Sequence, residues 1–468
     1  MRKTRIICTL GPASETTETI RQMIAAGTDV FRLNMSHAKH EWVRDIVPRV
    51  RALGRELKRG VALLLDTQGP AIRTGVLTHE LTLAVGDLLE ITVRGASSSE
   101  SNSISVNYDD LIDDVSLGDT ILLDNGVMQV RVLEKGKNRI RCQVLTAGTL
   151  GSHRHVNLPG VHVNLPALTE KDLADVALGA ELEVEFVALS FARQRRDLDE
   201  LRQVLQEHGS NAWIVAKIES AEAVGQIDEM IAGADAVLVA RGDLGIECPM
   251  EELPIIQRRI VKRCLRVGKP VIVATHLLES MVENPVPTRA EISDVANAVF
   301  EQSDAMMLTG ETTSGRYPVE CVKVLDKVAR RIERSGGAGY AKDAILEDSR
   351  QKTVAAAVAL ADSLARSKLI VFTRHGTMAR NVSNLRPQHA PIFAFTPNEY
   401  VYRQLALCWG TYPVLIDFTE DPNATIETAE KYLRGQKLIQ PDDKLVIISD
   451  VRAASALVDC VQLREVKP

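Results

Sequence analysis

The 468-residue sequence predicts an α/β fold: a (β/α)8 TIM barrel carrying an inserted small β-barrel domain and a C-terminal α/β open-sheet domain. Three observations carry the prediction. Eight short apolar runs alternate with longer helical patterns over the first 340 or so residues, as eight barrel strands and their helices would. One long interval, 66–186, breaks that rhythm with short strands and turns. Finally, Ser335-Gly336-Gly337-Ala338-Gly339, small and flexible in composition, precedes a second series of strands and helices. The expected domains are residues 1–69 with 166–338, residues 70–165, and residues 339–468.

In chain order the barrel strands are expected at 5–10, 30–33, 61–66, 186–189, 213–218, 236–240, 271–274 and 305–308. Most are apolar throughout, as strands buried on both faces are. Helices are expected between them, for example at 18–25, 43–57, 197–207, 255–267 and 290–302. Inside the interruption, strands are expected at 81–83, 89–93, 120–123, 129–133 and 139–144. Asp124-Asn125-Gly126 and Lys135-Gly136 supply turns. After the glycine-rich linker come helix 354–364, strand 369–372, helix 377–384, strand 392–395, helix 400–408, strand 414–416, helix 426–433 and strand 445–448. That succession predicts an open parallel sheet.

Composition narrows the function classes. Lys and Arg total 56 against 62 Asp and Glu, a formal net charge of −6, so there is no electrostatic case for a nucleic-acid binder. No run approaches the ~18 apolar residues of a membrane span. The basic start, Met1-Arg2-Lys3-Thr4-Arg5, is followed by too short an apolar stretch for a signal peptide. Seven scattered cysteines with no CxxC pair fit a reducing cytoplasm, most of them as small buried hydrophobes. There is no GxxxxGK[ST] loop, HExxH or GxSxG.

The chemistry sits at strand ends. Arg32, Asn34 and Ser36 are spaced i, i+2, i+4 and share a face if extended. Asp66-Thr67, Lys217 with Glu219, Arg241-Gly242-Asp243 and Thr275 also follow apolar strands, where barrels hold their active sites. Any one of these could be a solvated strand end, Lys217–Glu219 a surface ion pair and Asp243 a helix N-cap. Five in register around one rim point to a site. Glu219 and Asp243 are hard oxygen donors suited to Mg2+ or Mn2+. Lys217 and Arg32 would hold a phosphoryl group, and Thr275 is a hydroxyl able to relay a proton. A barrel lyase or aldolase acting on an enolate would use a similar set. A non-catalytic paralogue remains a third reading.

The segments 32–37, 66–73, 156–159, 216–219, 239–245, 274–281, 287–291 and 307–312, in this order, resemble the pyruvate kinase family nearly end to end. The resemblance implies phosphoryl transfer from phosphoenolpyruvate to ADP, then protonation of the enol to pyruvate. It implies Lys217, Arg32 and Thr275 as catalytic residues, with substrate also held at Gly242 and Asp243. Glu219 and Asp243 would hold the divalent cation. Asn34, Ser36, Asp66 and Thr67 would hold K+, and Asn34, His37, Arg73 and Arg154 would face the nucleotide. A homotetramer is implied too. Departures stand at Ala71, where the family often has Glu, at Gly151-Ser152-His153-Arg154-His155, and at His276 in place of Gln. His276 would take either a packing role or a proton-active one. Thr373, Arg374, Gly376 and Thr377 resemble the family's effector phosphate loop, or form an ordinary strand-to-helix turn. The second effector loop falls at Ser449-Asp450-Val451-Arg452-Ala453-Ala454-Ser455-Ala456, which has no glycine and carries an acid.

Overall fold

A computed structural model describes residues 1–161, 163–453 and 456–467. Eight parallel strands close a barrel: β1 Arg5–Thr9, β2 Val30–Asn34, β3 Ala62–Asp66, β4 Phe186–Leu189, β5 Trp213–Ile218, β6 Ala236–Ala240, β7 Val271–Ala274 and β8 Ala305–Leu308. Each pairs with its chain neighbour, and β8 returns to β1 with Arg5 opposite Ala305. Alternation sorts the side chains. Ile7, Val30, Leu64, Ala188, Val215, Leu238 and Ile272 fill the interior. The intervening residues, such as Ile6, Leu63, Leu65, Val187 and Ile214, pack against the helices. The same parity carries Thr9, Arg32, Asp66, Ser190 and Lys217 inward at the C-terminal rim.

At the opposite end, the floor, a carboxylate precedes every second strand. Asp29 accepts a hydrogen bond from the Ile6 amide at 2.9 Å, and Glu185 accepts from Leu63 at 2.8 Å. Asp235 accepts from Ile214 at 2.9 Å, and Asp304 from Val271 at 3.0 Å. Each also meets arginine: Arg2 and Arg5, Arg51 and Arg403, Arg202, and Arg386 respectively. Arg386 and Arg403 belong to the C-terminal domain. Ala406 and Leu407 of that domain join the apolar cluster inside the barrel and close its floor.

Between β3 and β4 the chain forms a six-stranded sheet, in the order Val156–Asn157, Thr120–Leu123, Met128–Lys135, Arg139–Val144, Leu88–Thr92, Ser103–Ser105. A two-stranded ribbon joins Gly148–Leu150 to Leu81–Leu83. Both share one apolar core, where a small β-barrel was expected. A single buried carboxylate ties down both ends of the insertion. Asp172 Oδ1 accepts from the amides of Gln68 (2.9 Å) and Gly69 (3.1 Å) on the outgoing chain. Its Oδ2 accepts from the Thr169 amide and hydroxyl (2.9 and 2.6 Å) on the return, completing the capping box of helix Glu170–Glu181.

The glycine-rich linker is held down rather than loose: the Ala338 amide donates to Phe300 O at 2.7 Å, and Gly339 to the Gln302 side chain. Beyond it, strands β9 Ser367–Phe372, β10 Ile392–Thr396, β11 Thr411–Leu415 and β12 Lys444–Ala453 run parallel. The expected all-parallel sheet is corrected by a fifth strand, β13 Ala456–Glu465, antiparallel to β12. The second effector loop is corrected with it. Backbone pairing to β13 carries the strand on through Ser449 to Ala453, and Ala454 and Ser455 lie outside the described residues. Five of the seven cysteines are buried, and all seven are free. No helix among the described residues is long and apolar enough to cross a membrane.

Candidate active site

The rim cluster is built around Asp66 at the end of β3, fully buried. Its Oδ2 accepts from Arg32 Nε at 2.6 Å. Its Oδ1 lies 3.2 Å from Lys217 Nζ and accepts from Ser190 Oγ at 3.1 Å. Lys217 Nζ also donates to Ser190 Oγ at 2.7 Å and lies 2.8 Å from Glu219 Oε1. Glu219 Oε2 in turn accepts from the Phe191 amide at 2.6 Å. Lys217 and Glu219 are 8% and 2% exposed, which excludes a surface ion pair. Arg32 NH1 donates to Thr9 Oγ1 at 3.1 Å, so its guanidinium is fixed from two sides.

Electrostatics follow from burial. Desolvation opposes charge on the Lys217 ammonium, but Asp66 and Glu219 outweigh it and raise its pKa above the ordinary lysine value. Burial alone would raise Asp66, yet Lys217 and Arg32 hold it below the usual carboxylate range. Glu219 and Asp243 are both pushed upward. Burial is the largest cause for each, and neighbouring carboxylates add to it: Asp243 for Glu219, and Asp66 for Asp243. Two cations thus face three carboxyl groups in a buried rim, and the upward shifts of Glu219 and Asp243 mark these two as short of positive charge. That donor set fits a divalent cation shared by Glu219 and Asp243. Among the described residues no group of three or more His, Cys, Asp or Glu could hold a metal, so substrate oxygens and water would complete its shell.

Asp243 is not an N-cap. It lies in the first turn of helix Arg241–Glu247, whose cap is Ala240. Thr275, after β7, meets that helix: the Gly242 amide donates to Thr275 Oγ1 at 2.7 Å, and the hydroxyl donates to Ala274 O at 2.6 Å. His276 is exposed beside Gly242.

The remaining expected residues are placed as follows. Asn34 Oδ1 accepts from the Ser36 amide at 3.2 Å, and Thr67 Oγ1 from the Ser190 amide at 3.1 Å. Asp66 has both oxygens engaged inside the cluster. Arg73 and Arg154 meet at the return of the inserted domain. Arg73 NH1 donates to His153 O at 3.0 Å, and the Arg154 amide to Thr74 Oγ1 at 2.9 Å. His37 is exposed, and its amide donates to Asn34 O at 3.1 Å. Thr373, Arg374 and Thr377 line a cavity of about 410 Å3 with Phe418 and Thr419. Gly376, in left-handed backbone at φ 81°, caps helix Thr377–Asn384. Sequence reasoning missed Ser190. Its parity with Phe186 and Ala188, both inward, marks it as a rim residue.

Fold and site together define a barrel enzyme with a buried cation–carboxylate rim, an inserted β domain over one strand connection, and an α/β domain closing the floor. Two family models match: pyruvate kinase, barrel domain, over residues 1–322, and pyruvate kinase, alpha/beta domain, over residues 351–461. The pyruvate kinase of Geobacillus stearothermophilus is 41% identical over 461 residues, 96% of this chain and 78% of that protein. That of Bacillus licheniformis is also 41% identical, over 96% and 77%. Plastidial pyruvate kinase 2 of Arabidopsis thaliana is 38% identical, over 96% and 78%. The chain belongs to the pyruvate kinase family.

Proposed function

We infer that this protein is a pyruvate kinase, a phosphotransferase that moves the phosphoryl group of phosphoenolpyruvate to ADP, giving pyruvate and ATP in the last step of glycolysis. The observation that carries this reading is the buried Arg32–Asp66–Lys217–Glu219 chain on one barrel rim, in a chain of this family. Arg32 and Lys217 present two fixed positive charges to the transferring phosphoryl group, pre-organised by Asp66 and so needing little rearrangement as charge moves. The backbone at Gly242 and Asp243 binds the substrate carboxylate, the Gly242 amide exchanging its bond to Thr275 Oγ1 for one to the substrate. The phosphorus–enol oxygen bond breaks as a bond to a terminal phosphate oxygen of ADP forms. The enolate then takes a proton at its methylene carbon, with the Thr275 hydroxyl on the delivery path. Glu219 and Asp243 hold Mg2+ or Mn2+, which when bound supplies Lewis-acid polarisation of substrate oxygens.

Asn34, Ser36, Asp66 and Thr67 form the K+ site in this reading, and Asn34, His37, Arg73 and Arg154 face the nucleotide phosphates. Residues 70–165 act as a lid that excludes water from the enol phosphate. The Thr373, Arg374, Gly376 and Thr377 loop is the anion-binding part of an effector site, and the protein works as a cytoplasmic homotetramer. The test is pyruvate formation from phosphoenolpyruvate and ADP with Mg2+, in K+ or in a bulky organic cation alone. Turnover only in K+ is expected. Equal turnover in both removes the K+ assignment. No turnover in either overturns the reading in favour of the lyase or non-catalytic alternatives.

A further inference from the structure

Thr275 has a backbone conformation its side chain resists. Its φ is +71°, and His276 follows at +53°. Among the described residues with positive φ, Thr275 is the only β-branched one, and such residues are genuine outliers there. Strain of this kind persists only where surrounding contacts over-determine it. Those contacts converge from one residue. Arg241 Nε donates to Ala274 O at 3.2 Å, and Arg241 NH2 donates to Thr275 O at 2.6 Å. The third arm, NH1, donates to Asp294 Oδ1 at 2.7 Å, on helix Arg289–Phe300. The next amide in the chain, Gly242 N, donates to the Thr275 hydroxyl oxygen, and that hydroxyl donates to Ala274 O. Helix Arg241–Glu247 therefore grips the turn twice, by a guanidinium on its carbonyls and by a backbone amide on its hydroxyl. Beyond the turn, Glu311 holds the Leu278 amide at 3.1 Å.

We propose that Arg241, braced by Asp294, is a positioning residue: it holds the left-handed turn at Thr275 and so aims that hydroxyl for proton delivery. The guanidinium is suited to this because one planar fork serves two carbonyls and a carboxylate at once. A lysine ammonium offers no such fixed geometry. Without Arg241, Thr275 O loses its guanidinium donor and Ala274 O keeps only the Thr275 hydroxyl, the turn relaxes toward negative φ, and the hydroxyl moves while Arg32, Lys217 and Glu219 keep their own contacts. The inference rests on the role given to Thr275 above.

The experiment compares wild type, Arg241→Met, Arg241→Lys and Asp294→Asn by three readouts. In steady-state kinetics, Arg241→Met is expected to lose roughly 10–100-fold in kcat, with KM for phosphoenolpyruvate within about threefold. Arg241→Lys should recover part of the loss, and Asp294→Asn should lose less. Solvent-deuterium exchange into the pyruvate methyl group, which reports proton delivery alone, should fall in parallel with kcat. Amide hydrogen exchange over residues 274–279 should quicken in Arg241→Met, and less in Arg241→Lys. An unchanged exchange rate in that segment overturns the positioning role whether or not the enzyme turns over. A kcat within threefold of wild type, or kcat and KM worsening together, also overturns it. Wild type that forms no pyruvate overturns the functional reading instead, and the amide exchange still decides whether Arg241 holds the turn.

Discussion

At the floor of the barrel four carboxylates repeat one contact, each capping the amide of a neighbouring strand and each answered by arginine. At the rim three carboxylates share two cations with no repeat, gathered at the ends of β2, β3 and β5 and in the helix after β6. Strand geometry is the same at both ends, so the difference lies in what the charges are paired to. The floor is paired internally and to the C-terminal domain, so its charges are spent on assembly. The rim is left with two carboxyl groups short of positive charge, their pKa values raised by burial, an arrangement completed only by something that binds. Barrels separate stability from chemistry in this way, and here the separation is visible residue by residue.

The comparison makes predictions of decreasing size. Lys217→Met should remove about a thousandfold or more of kcat, because it deletes a pre-organised charge at the transferring group. Mn2+ binding, followed by electron paramagnetic resonance, should remain measurable. Turnover equal to wild type would break the assignment of this end to chemistry.

Glu185→Gln should do the reverse. Glu185 is fully buried and faces Arg51 and Arg403, so losing its charge costs about 1.5–3 kcal/mol even though Arg403 keeps Glu399 and Arg51 keeps the Glu183 carbonyl. Thermal inactivation should come at a lower temperature, while kcat of the folded enzyme stays within about twofold of wild type. A large loss of kcat without loss of stability would show that the floor reaches the reaction.

The smallest effect is one of pH. Burial pushes the Tyr412 phenol up to about 12, with Arg5 pulling it back, and its hydroxyl donates to Arg2 O at 2.8 Å. Between the ordinary tyrosine value of ~10 and that raised value, the unfolded chain has lost this proton and the folded chain keeps it. The folded form binds more protons, so stability falls as pH rises through that window. Thermal inactivation measured from pH 9 to about 12 should show this slope, and Tyr412→Phe should make it shallower, the other half-buried tyrosines and the buried cysteines whose values burial raises supplying the rest. An identical slope in the variant would remove Tyr412 from the account.

All eight barrel strands were legible because a strand buried on both faces is written as an uninterrupted apolar run, and the polar residue ending it stands out. The same logic failed where strands are short or half-exposed. Ser103–Ser105, Gly148–Leu150 and Val156–Asn157 lack any run long enough to show a period, and they exist only because the neighbouring strands offer pairing. Ser449 and Asp450 read as a loop, yet pairing with β13 keeps them in a strand. The charged residues of the Arg32–Asp66–Lys217–Glu219 cluster were all found, while Glu311 after β8 was not. Ser190 was not, because a lone serine after a strand is common, and only its parity with Phe186 and Ala188 gives it away. The floor carboxylates were missed for a related reason. A single acid before a strand looks like turn chemistry, and its recurrence before every second strand becomes informative only once the barrel order is known.

Asp172 has a consequence for how the molecule is assembled. One carboxylate fastens both the departure and the return of the inserted domain, and Asn157 to Glu247 and Arg193 to the carbonyls of Val163 and Leu165 add further contacts with the barrel. The long excursion between β3 and β4 is closed locally, so the pairing of Phe186 with Leu64 does not wait on what happens inside it. The cost of closing a loop grows slowly with its length in any case. The inserted domain is in effect a cartridge in a fixed socket. Its sequence can be lengthened, shortened or exchanged while the socket, and with it the register of the barrel, stays as it is.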